Sequence, residues 1–183
     1  VMGGAGYGRD GYEGDDILGT LSLRYEKEMP VNIVTGDRDA LQLSSSRTTV
    51  FLTQKGITNM AAMTPEAVFE KYHIEPRQVI DMKALMGDTA DNIPGVPGIG
   101  EKTALKLITQ YDNLDNLYAH VSEIKGAQGK KLTANKELAY LSYDLATIKA
   151  WLRKFPQEDI AHAYALLDVV GLASFANQQI GRA

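Results

Sequence analysis

The sequence predicts an α/β fold in which a partial parallel sheet is followed by an all-helical region. Two short apolar runs rich in β-branched residues, VNIVT at 31–35 and TTVFLT at 48–53, have the composition of buried strands. Helical patterns precede and separate them, and alternating helices and strands are typical of a parallel sheet. Such sheets are covered on both faces, so a sheet of two strands is either completed by further strands or marginal.

The first part of the chain divides into a lead and an α/β part. Residues 1–11 are rich in glycine and are predicted to be an unstructured lead. Apolar residues then recur at helical spacing between residues 12 and 29, which predicts a helix before the first strand. RDALQL, residues 38–43, is predicted to form a short helix, and KGIT, residues 55–58, a turn into a third extended piece. The α/β part is therefore assigned to residues 12–62.

Residues 63–183 are predicted to form a helical region. Pro65 and Pro76 mark helix starts because proline is tolerated in the first turn, and Thr64 is a suitable N-cap. A short strand at LATIK, residues 145–149, is the one exception. The predicted helices are 65–72, 76–86, 101–110, 113–120, 129–141, 158–168 and 171–179.

The composition is that of an ordinary globular protein. The chain has 183 residues, of which 44% are hydrophobic and 23% charged, enough to bury a core without disulfides. It contains no cysteine, which excludes thiolate zinc sites and cysteine nucleophiles. No apolar run approaches the ~20 residues that span a bilayer, and the N-terminus lacks a signal-peptide pattern. We therefore expect a soluble, cytoplasmic protein.

Three short acidic clusters are the strongest chemical signal. YEGDD lies at the start of the first predicted helix, TGDRD follows the first predicted strand, and GDTAD follows the helix predicted over 76–86. Ligand sites of open α/β sheets lie at the carboxyl ends of strands, which is the position of the second cluster. The candidate carboxylates are Glu13, Asp15, Asp16, Asp37, Asp39, Asp88 and Asp91.

Each acidic cluster also has an ordinary structural interpretation. Acids at a helix start are favoured by the helix dipole, and aspartates after a strand or helix are common turn and cap residues. If all the carboxylates converge, however, they repel one another unless protons or metal ions neutralise them. Oxygen ligands without cysteine or histidine favour magnesium or manganese over zinc, and two such ions roughly 4 Å apart form a phosphodiester-cleaving site.

A glycine-rich turn, NIPGVPGIGEKT, follows the third cluster. Gly95, Gly98 and Gly100 permit positive φ and close backbone approach, and a helix is predicted to start near residue 101. The first N–H groups of a helix can bind an anion, and Lys102 and Thr103 stand where a bound phosphate would meet a cation and a hydroxyl. The turn has no side chain suited to reading a base edge, so a nucleic-acid contact here would be independent of sequence. The alternative is an ordinary corner between two helices.

These motifs together resemble a known family. GYEGDDILGTL, IVTGDRDALQL, TPEAVFEKY and MGDTADNIPGVPGIGEKTALKL closely resemble the 5′-nuclease (5′–3′ exonuclease and flap endonuclease) domain of bacterial DNA polymerase I. The order and spacing of the acidic motifs and GVPGIGEKTA are highly specific, and the resemblance covers roughly residues 11–180. It begins near the family's third acidic motif. The strands, two aspartates and basic arch that precede it in the family are not matched, so reduced activity is expected.

The resemblance implies specific roles. Glu13, Asp15 and Asp16 would be catalytic and nearest the catalytic metal, and the other four carboxylates would complete a site for two Mg²⁺ or Mn²⁺ ions. A helix-three-turn-helix element around residues 76–110 would grip duplex DNA, with a potassium ion on turn carbonyls such as those of Val96 and Ile99.

The resemblance also implies the partners and the location. The substrate would be DNA with a 5′ flap or a single-strand junction. A C-terminal polymerase domain is a further candidate partner, although the sequence does not say whether one follows, and the location would be the bacterial cytoplasm, in association with the nucleoid. A non-catalytic remnant that binds duplex DNA independently of sequence is the alternative.

Overall fold

The computed structural model describes residues 13–53 and 60–150. Within them, no helix is long and apolar enough to cross a membrane. Two 3₁₀ helices, Asp39–Leu43 and Val121–Glu123, lie between the longer elements. The longer elements in chain order are α1 (Gly14–Tyr25), β1 (Val31–Thr35), β2 (Thr48–Thr53), β3 (Met60–Met63), α2 (Pro65–Tyr72), α3 (Gln78–Met86), α4 (Glu101–Tyr111), α5 (Leu114–Ala119), α6 (Gly126–Ala134) and α7 (Lys136–Ala146).

The sheet has the order β1-β2-β3 and confirms the predicted α/β class. β1 and β2 are parallel, with Ile33 opposite Val50, and the predicted third extended piece is found as β3. β3 runs antiparallel to β2, with Met63 opposite Val50. Only six residues separate β2 from β3, fewer than a parallel crossover requires, so an antiparallel return is the arrangement expected for this connection.

One continuous core joins the sheet to the helices. Ile33, Val50 and Met63 are almost fully buried on the sheet, and Leu85 of α3 and Ile108 of α4 are completely buried among the helices. α3 packs against both α7 and α4, so it lies at the centre of the helical region. The two halves that the sequence separates at residue 63 therefore share one hydrophobic interior.

The helix starts follow local capping signals. The Thr64 side chain accepts a hydrogen bond of 3.3 Å from the Ala67 N–H, and Pro65 occupies the first turn, so α2 covers the predicted residues. The helix predicted over 129–141 is instead two helices, α6 and α7. The Asn135 side chain donates to the Lys131 carbonyl at 2.8 Å, which favours ending α6 because it competes with the backbone bonds of a continuing helix.

Two further predictions have different outcomes. The strand predicted at LATIK is wrong, because Leu145 and Ala146 complete α7 and the following residues join no sheet. α7 continues there because Ala146 packs into the core. The helices predicted over 158–168 and 171–179, and the lead at 1–11, lie outside the described residues.

Candidate functional site

Two chain segments bring three carboxylates together. Asp39 begins the 3₁₀ helix that follows β1, and Asp88 and Asp91 lie in the turn that follows α3. One oxygen atom of each lies within 4.8 Å of the others. Asp39 is buried, Asp88 is half-buried and Asp91 is exposed, so the cluster opens from the interior to the surface.

Backbone hydrogen bonds hold these aspartates in position. The Asp39 N–H donates to Asp37 Oδ1 at 2.9 Å, which folds the chain sharply after β1 and turns Asp39 inward. Asp88 and Ile93 exchange two backbone hydrogen bonds of 2.9 and 2.8 Å, closing the loop that carries Asp91. The Asp88 side chain also bonds within this loop, since its Oδ1 accepts a hydrogen bond of 2.9 Å from the Ala90 N–H. The cluster is therefore built on two short turns at the ends of buried elements.

The start of α1 faces the same cluster. Burial raises the pKa of Asp15, and repulsion from Asp37 and then from Glu13, Asp91 and Asp16 raises it further. Asp15 therefore lies within electrostatic range of the other two acidic clusters, whereas the described carboxylates whose oxygens lie within 4.8 Å of one another are Asp39, Asp88 and Asp91.

Asp16 has an additional structural contact. Its Oδ1 accepts a hydrogen bond of 2.9 Å from the Lys149 N–H, which ties the start of α1 to the chain beyond α7. Asp16 therefore has a packing role that the sequence did not indicate, beside the predicted catalytic one.

Lys83 lies in the middle of the cluster and was missed by the sequence analysis. Its ammonium forms ion pairs with Asp39, with Asp88 at 2.8 Å and with Asp91 at 3.4 Å. Only 5% of the residue is exposed. Burial would lower the pKa of Lys83, but the bonds to Asp39 and Asp88 outweigh it, and the pKa is raised. The lysine is therefore held charged inside the cluster.

Asp39 and Asp88, two of the partners of Lys83, have pKa values shifted in opposite directions. Burial raises the pKa of Asp39, because desolvation outweighs the hydrogen bond and the attraction from Lys83. The more exposed Asp88 has a lowered pKa, because the hydrogen bond from Lys83 dominates there. Depth in the structure therefore decides which of the two carboxylates is the stronger acid.

The donor set fits a hard divalent cation. The ligand atoms are carboxylate oxygens, the type that magnesium and manganese prefer. Asp39 Oδ1 is buried and forms an ion pair with the ammonium of Lys83. A buried carboxylate oxygen requires a positively charged partner, and a bound cation would meet the same requirement.

An open cleft of about 430 Å³ connects the cluster to the following helix. Its floor includes apolar residues of α3, and its polar lining includes residues of both acidic turns and the first residue of α4. The charged residues that line it are Asp37, Arg38, Asp39, Lys83, Asp88, Asp91 and Glu101. The cleft therefore runs from the carboxylates to the beginning of α4.

The glycine-rich turn is locked against the end of α3. Gly87 and Gly95 have φ of 72° and 62°, and a Cβ on Gly95 would collide with the Gly87 backbone. The Val96 N–H donates to the Leu85 carbonyl at 2.8 Å. The Gly95 N–H donates to Ser142 of α7 at 2.9 Å. Gly95 is thus buried with its N–H occupied, and a DNA contact at this residue stays a prediction.

The outer side of the glycine-rich turn is exposed to solvent, unlike Gly95. Gly98, Gly100 and Lys102 are exposed and Thr103 is half-buried at the start of α4. The ammonium of Lys131, from α6, lies against Gly98 in the space that a Cβ would occupy. Lys131 thus adds a second cation beside the turn.

The predicted potassium ligands line the inner part of the same turn. Val96 and Ile99 are buried, and the Val96 carbonyl accepts from the Ile99 N–H at 3.0 Å. Potassium binding at these carbonyls stays a prediction.

Comparison with known proteins agrees with this architecture. The family model of the 5′–3′ exonuclease N-terminal resolvase-like domain matches residues 2–73, and that of the 5′–3′ exonuclease C-terminal SAM fold matches residues 74–163. DNA polymerase I of Bacillus caldotenax is 47% identical over 182 residues, covering 92% of this chain and 20% of that protein. DNA polymerase I of Bacillus subtilis (strain 168) is 50% identical over 144 residues, covering 78% of this chain and 16% of that protein. The chain thus spans a fifth or less of the length of these relatives.

Solved structures share the fold. A crystal structure of the bacteriophage T5 D15 flap endonuclease, in a complex with DNA and metal ions, aligns with a TM-score of 0.69 at 21% identity. The alignment covers 90% of this chain and 62% of that one. The catalytic core of Rad2 in complex with DNA substrate aligns with a TM-score of 0.52 at 16% identity, covering 80% of this chain and 52% of that one. The chain belongs to the 5′–3′ exonuclease family.

Proposed function

We propose that this chain is a 5′-nuclease domain that hydrolyses DNA phosphodiesters at a 5′ flap or single-strand junction. The observation that carries the proposal is the convergence of Asp39, Asp88 and Asp91 at one end of a cleft whose other end is the start of α4. The α/β part supplies Asp39 and the helical region supplies the other two, so the site lies between the two segments of the chain.

Seven carboxylates would together bind two Mg²⁺ or Mn²⁺ ions. Asp39, Asp88 and Asp91 would hold one position, and Asp15 and Asp37 would border it, which the position of Asp37 in the lining of the same cleft supports. Glu13 and Asp16 at the start of α1 would complete the second position. When bound, divalent ions at such a site activate water and neutralise charge on the phosphodiester.

The turn and the start of α4 would bind the duplex through its phosphates. Lys102 supplies a cation, Thr103 a hydroxyl, and the exposed Gly98 and Gly100 allow the DNA backbone to approach closely. Lys131 lies beside Gly98 and would add a further phosphate contact. These groups recognise phosphate rather than base edges, so binding would be independent of sequence and sensitive to salt.

A 5′-labelled flap substrate tests the proposal directly. We expect the chain to release labelled product in the presence of Mg²⁺, and Asp91→Ala to reduce release by at least about 100-fold, since even outer-shell partners of metal ligands cost about 10–100-fold. Duplex binding by Asp91→Ala should be retained, because Asp91 precedes the glycine-rich turn and the start of α4, which would contact the duplex. Asp144→Ala is the matched control, since Asp144 is an exposed carboxylate on α7 and should leave release unchanged.

One observation favours the alternative of a non-catalytic duplex-binding protein. Lys83 already neutralises part of the acidic cluster, as it would in a site that no longer binds metal. That alternative predicts duplex binding that falls with salt and is indifferent to Mg²⁺, with no release of label. Release that is equal in the wild type and Asp91→Ala would contradict the metal assignment.

A further inference from the structure

Lys83 has no role in the function proposed above, although it occupies the centre of the site. Its ammonium contacts an oxygen of each of Asp39, Asp88 and Asp91. These are the same three carboxylates whose oxygens approach within 4.8 Å of one another. The amine therefore stands where a cation bound by all three would stand.

We propose that Lys83 is an internal counter-ion that occupies the divalent-cation position and moves out when the ion binds. The inference rests on the proposed metal-binding function of the cluster. An ordinary structural ion pair needs one carboxylate, whereas this ammonium is shared by three from two separate turns. Two cations cannot occupy the same position, so ion binding requires the amine to withdraw.

The lysine side chain is suited to such a movement. It joins α3 through a flexible four-carbon stem, so the ammonium can leave the carboxylates without a change in the helix backbone. The cleft beside the cluster offers it space, since Lys83 itself lines that cleft. A withdrawn ammonium would remain near the site and could contact a phosphate of the substrate.

The arrangement would also keep the carboxylates together in the absence of metal. Without Lys83 their mutual repulsion opposes the close approach of the two turns. Removal of the lysine should therefore have opposite effects on two properties. It should lower the stability of the metal-free chain and tighten divalent-ion binding, whereas loss of an ordinary structural contact would weaken both.

Calorimetric titration with Mn²⁺ alone, on the full chain, separates these possibilities. We expect Lys83→Met to bind Mn²⁺ on the order of tenfold more tightly than the wild type, since a competing charge inside the site is removed. Its thermal midpoint in a chelator should be lower, and the increase on adding Mn²⁺ larger. Lys130→Met is the matched control, since Lys130 is an exposed helical lysine on α6 and should change neither property.

A second measurement on the wild type keeps the proposal testable if Lys83→Met does not fold. Reductive methylation followed by peptide mass spectrometry should leave Lys83 unmodified without metal and modify it in saturating Mg²⁺. Lys130 serves as the internal reference. Two results overturn this inference alone. One is that Lys83→Met binds Mn²⁺ no more tightly than the wild type, and the other is that Mg²⁺ does not change the protection of Lys83 from methylation. Absence of Mn²⁺ binding in both proteins overturns the proposed metal site and the inference with it.

Discussion

The acidic cluster and the glycine-rich turn are neighbours in the chain but are held by different forces. Asp88 and Asp91 are kept near Asp39 by a shared ammonium, so their arrangement depends on charge balance. Gly95 is kept in place by direct backbone contact with Gly87 and by a hydrogen bond to Ser142. If Lys83 withdraws as proposed, the acidic cluster would rearrange around an added ion while the glycine-rich turn keeps its geometry beside it.

Gly95→Ala should have the largest effect, because it tests whether close packing holds the turn. A Cβ at this position would collide with the Gly87 backbone, and alanine would have to adopt a φ of 62°, which is unfavourable for a residue with a side chain. We therefore expect the free energy of unfolding to fall by about 3–5 kcal/mol, or the chain not to fold. Urea denaturation followed by circular dichroism measures it. Gly100→Ala is the control, since a Cβ there has open space. An unchanged urea midpoint for Gly95→Ala would contradict the packing account.

Asp81 sharpens the comparison because it is a buried carboxylate without a lysine. It lies two residues before Lys83 on α3, is 6% exposed, and accepts from the Leu114 N–H at 2.8 Å. Burial raises the pKa of Asp81 to about 6, and the hydrogen bond from Leu114 only partly offsets this. Folding is therefore favoured while Asp81 is protonated, and that contribution is lost as the pH rises from about 4 through about 6.

Asp81→Asn should remove this pH dependence. We expect the variant to be more stable than the wild type by about 1–2 kcal/mol at pH 7.5, since it keeps an acceptor for Leu114 without a buried charge. At pH 4 the difference should shrink or reverse. Urea denaturation at the two pH values measures it, with the exposed Asp144→Asn as a control. Equal stability differences at both pH values would show that Asp81 does not titrate in this range.

Lys102→Ala should have the smallest effect and concerns the outer face of the turn. The fold should be unaffected, since Lys102 is exposed. Duplex binding should weaken by about 1 kcal/mol, and the slope of log K against log salt should decrease by about 1, as expected for the loss of one phosphate contact. Fluorescence anisotropy over a salt series measures both quantities. Lys27→Ala removes the same charge away from the turn, and an identical salt slope for the two variants would argue against the phosphate assignment.

Local signals in the sequence predicted most of the elements. Thr64 and Pro65 predicted the start of α2 because capping depends on neighbouring residues. The break at Asn135 was missed because its cause is a side-chain bond that a helical pattern conceals. The sequence analysis assigned no direction to β3, although the six-residue connection from β2 is too short for a parallel crossover and favours the antiparallel pairing that the structure has.

The site was predicted less completely than the fold. The acidic motifs supplied seven candidate carboxylates, because clustered acids are visible in the sequence alone, and three of them, Asp39, Asp88 and Asp91, come together in the structure. Lys83 was not identified because a lysine within a helical run is ordinarily a solvated side chain, and only the fold shows that it is buried. The contact of Gly95 with Ser142 joins residues 47 positions apart, beyond the range of any local pattern.

The sequence by itself determined the fold class, the acidic motifs and the glycine-rich turn, because periodicity, capping and residue chemistry act over a few neighbouring residues. The tertiary structure alone decided which carboxylates meet, where Lys83 and Lys131 lie, and which glycine faces inward. Those outcomes depend on the packing of α3 against α4 and α7. This packing brings distant segments together through burial, and the resulting distances set the electrostatics of the site.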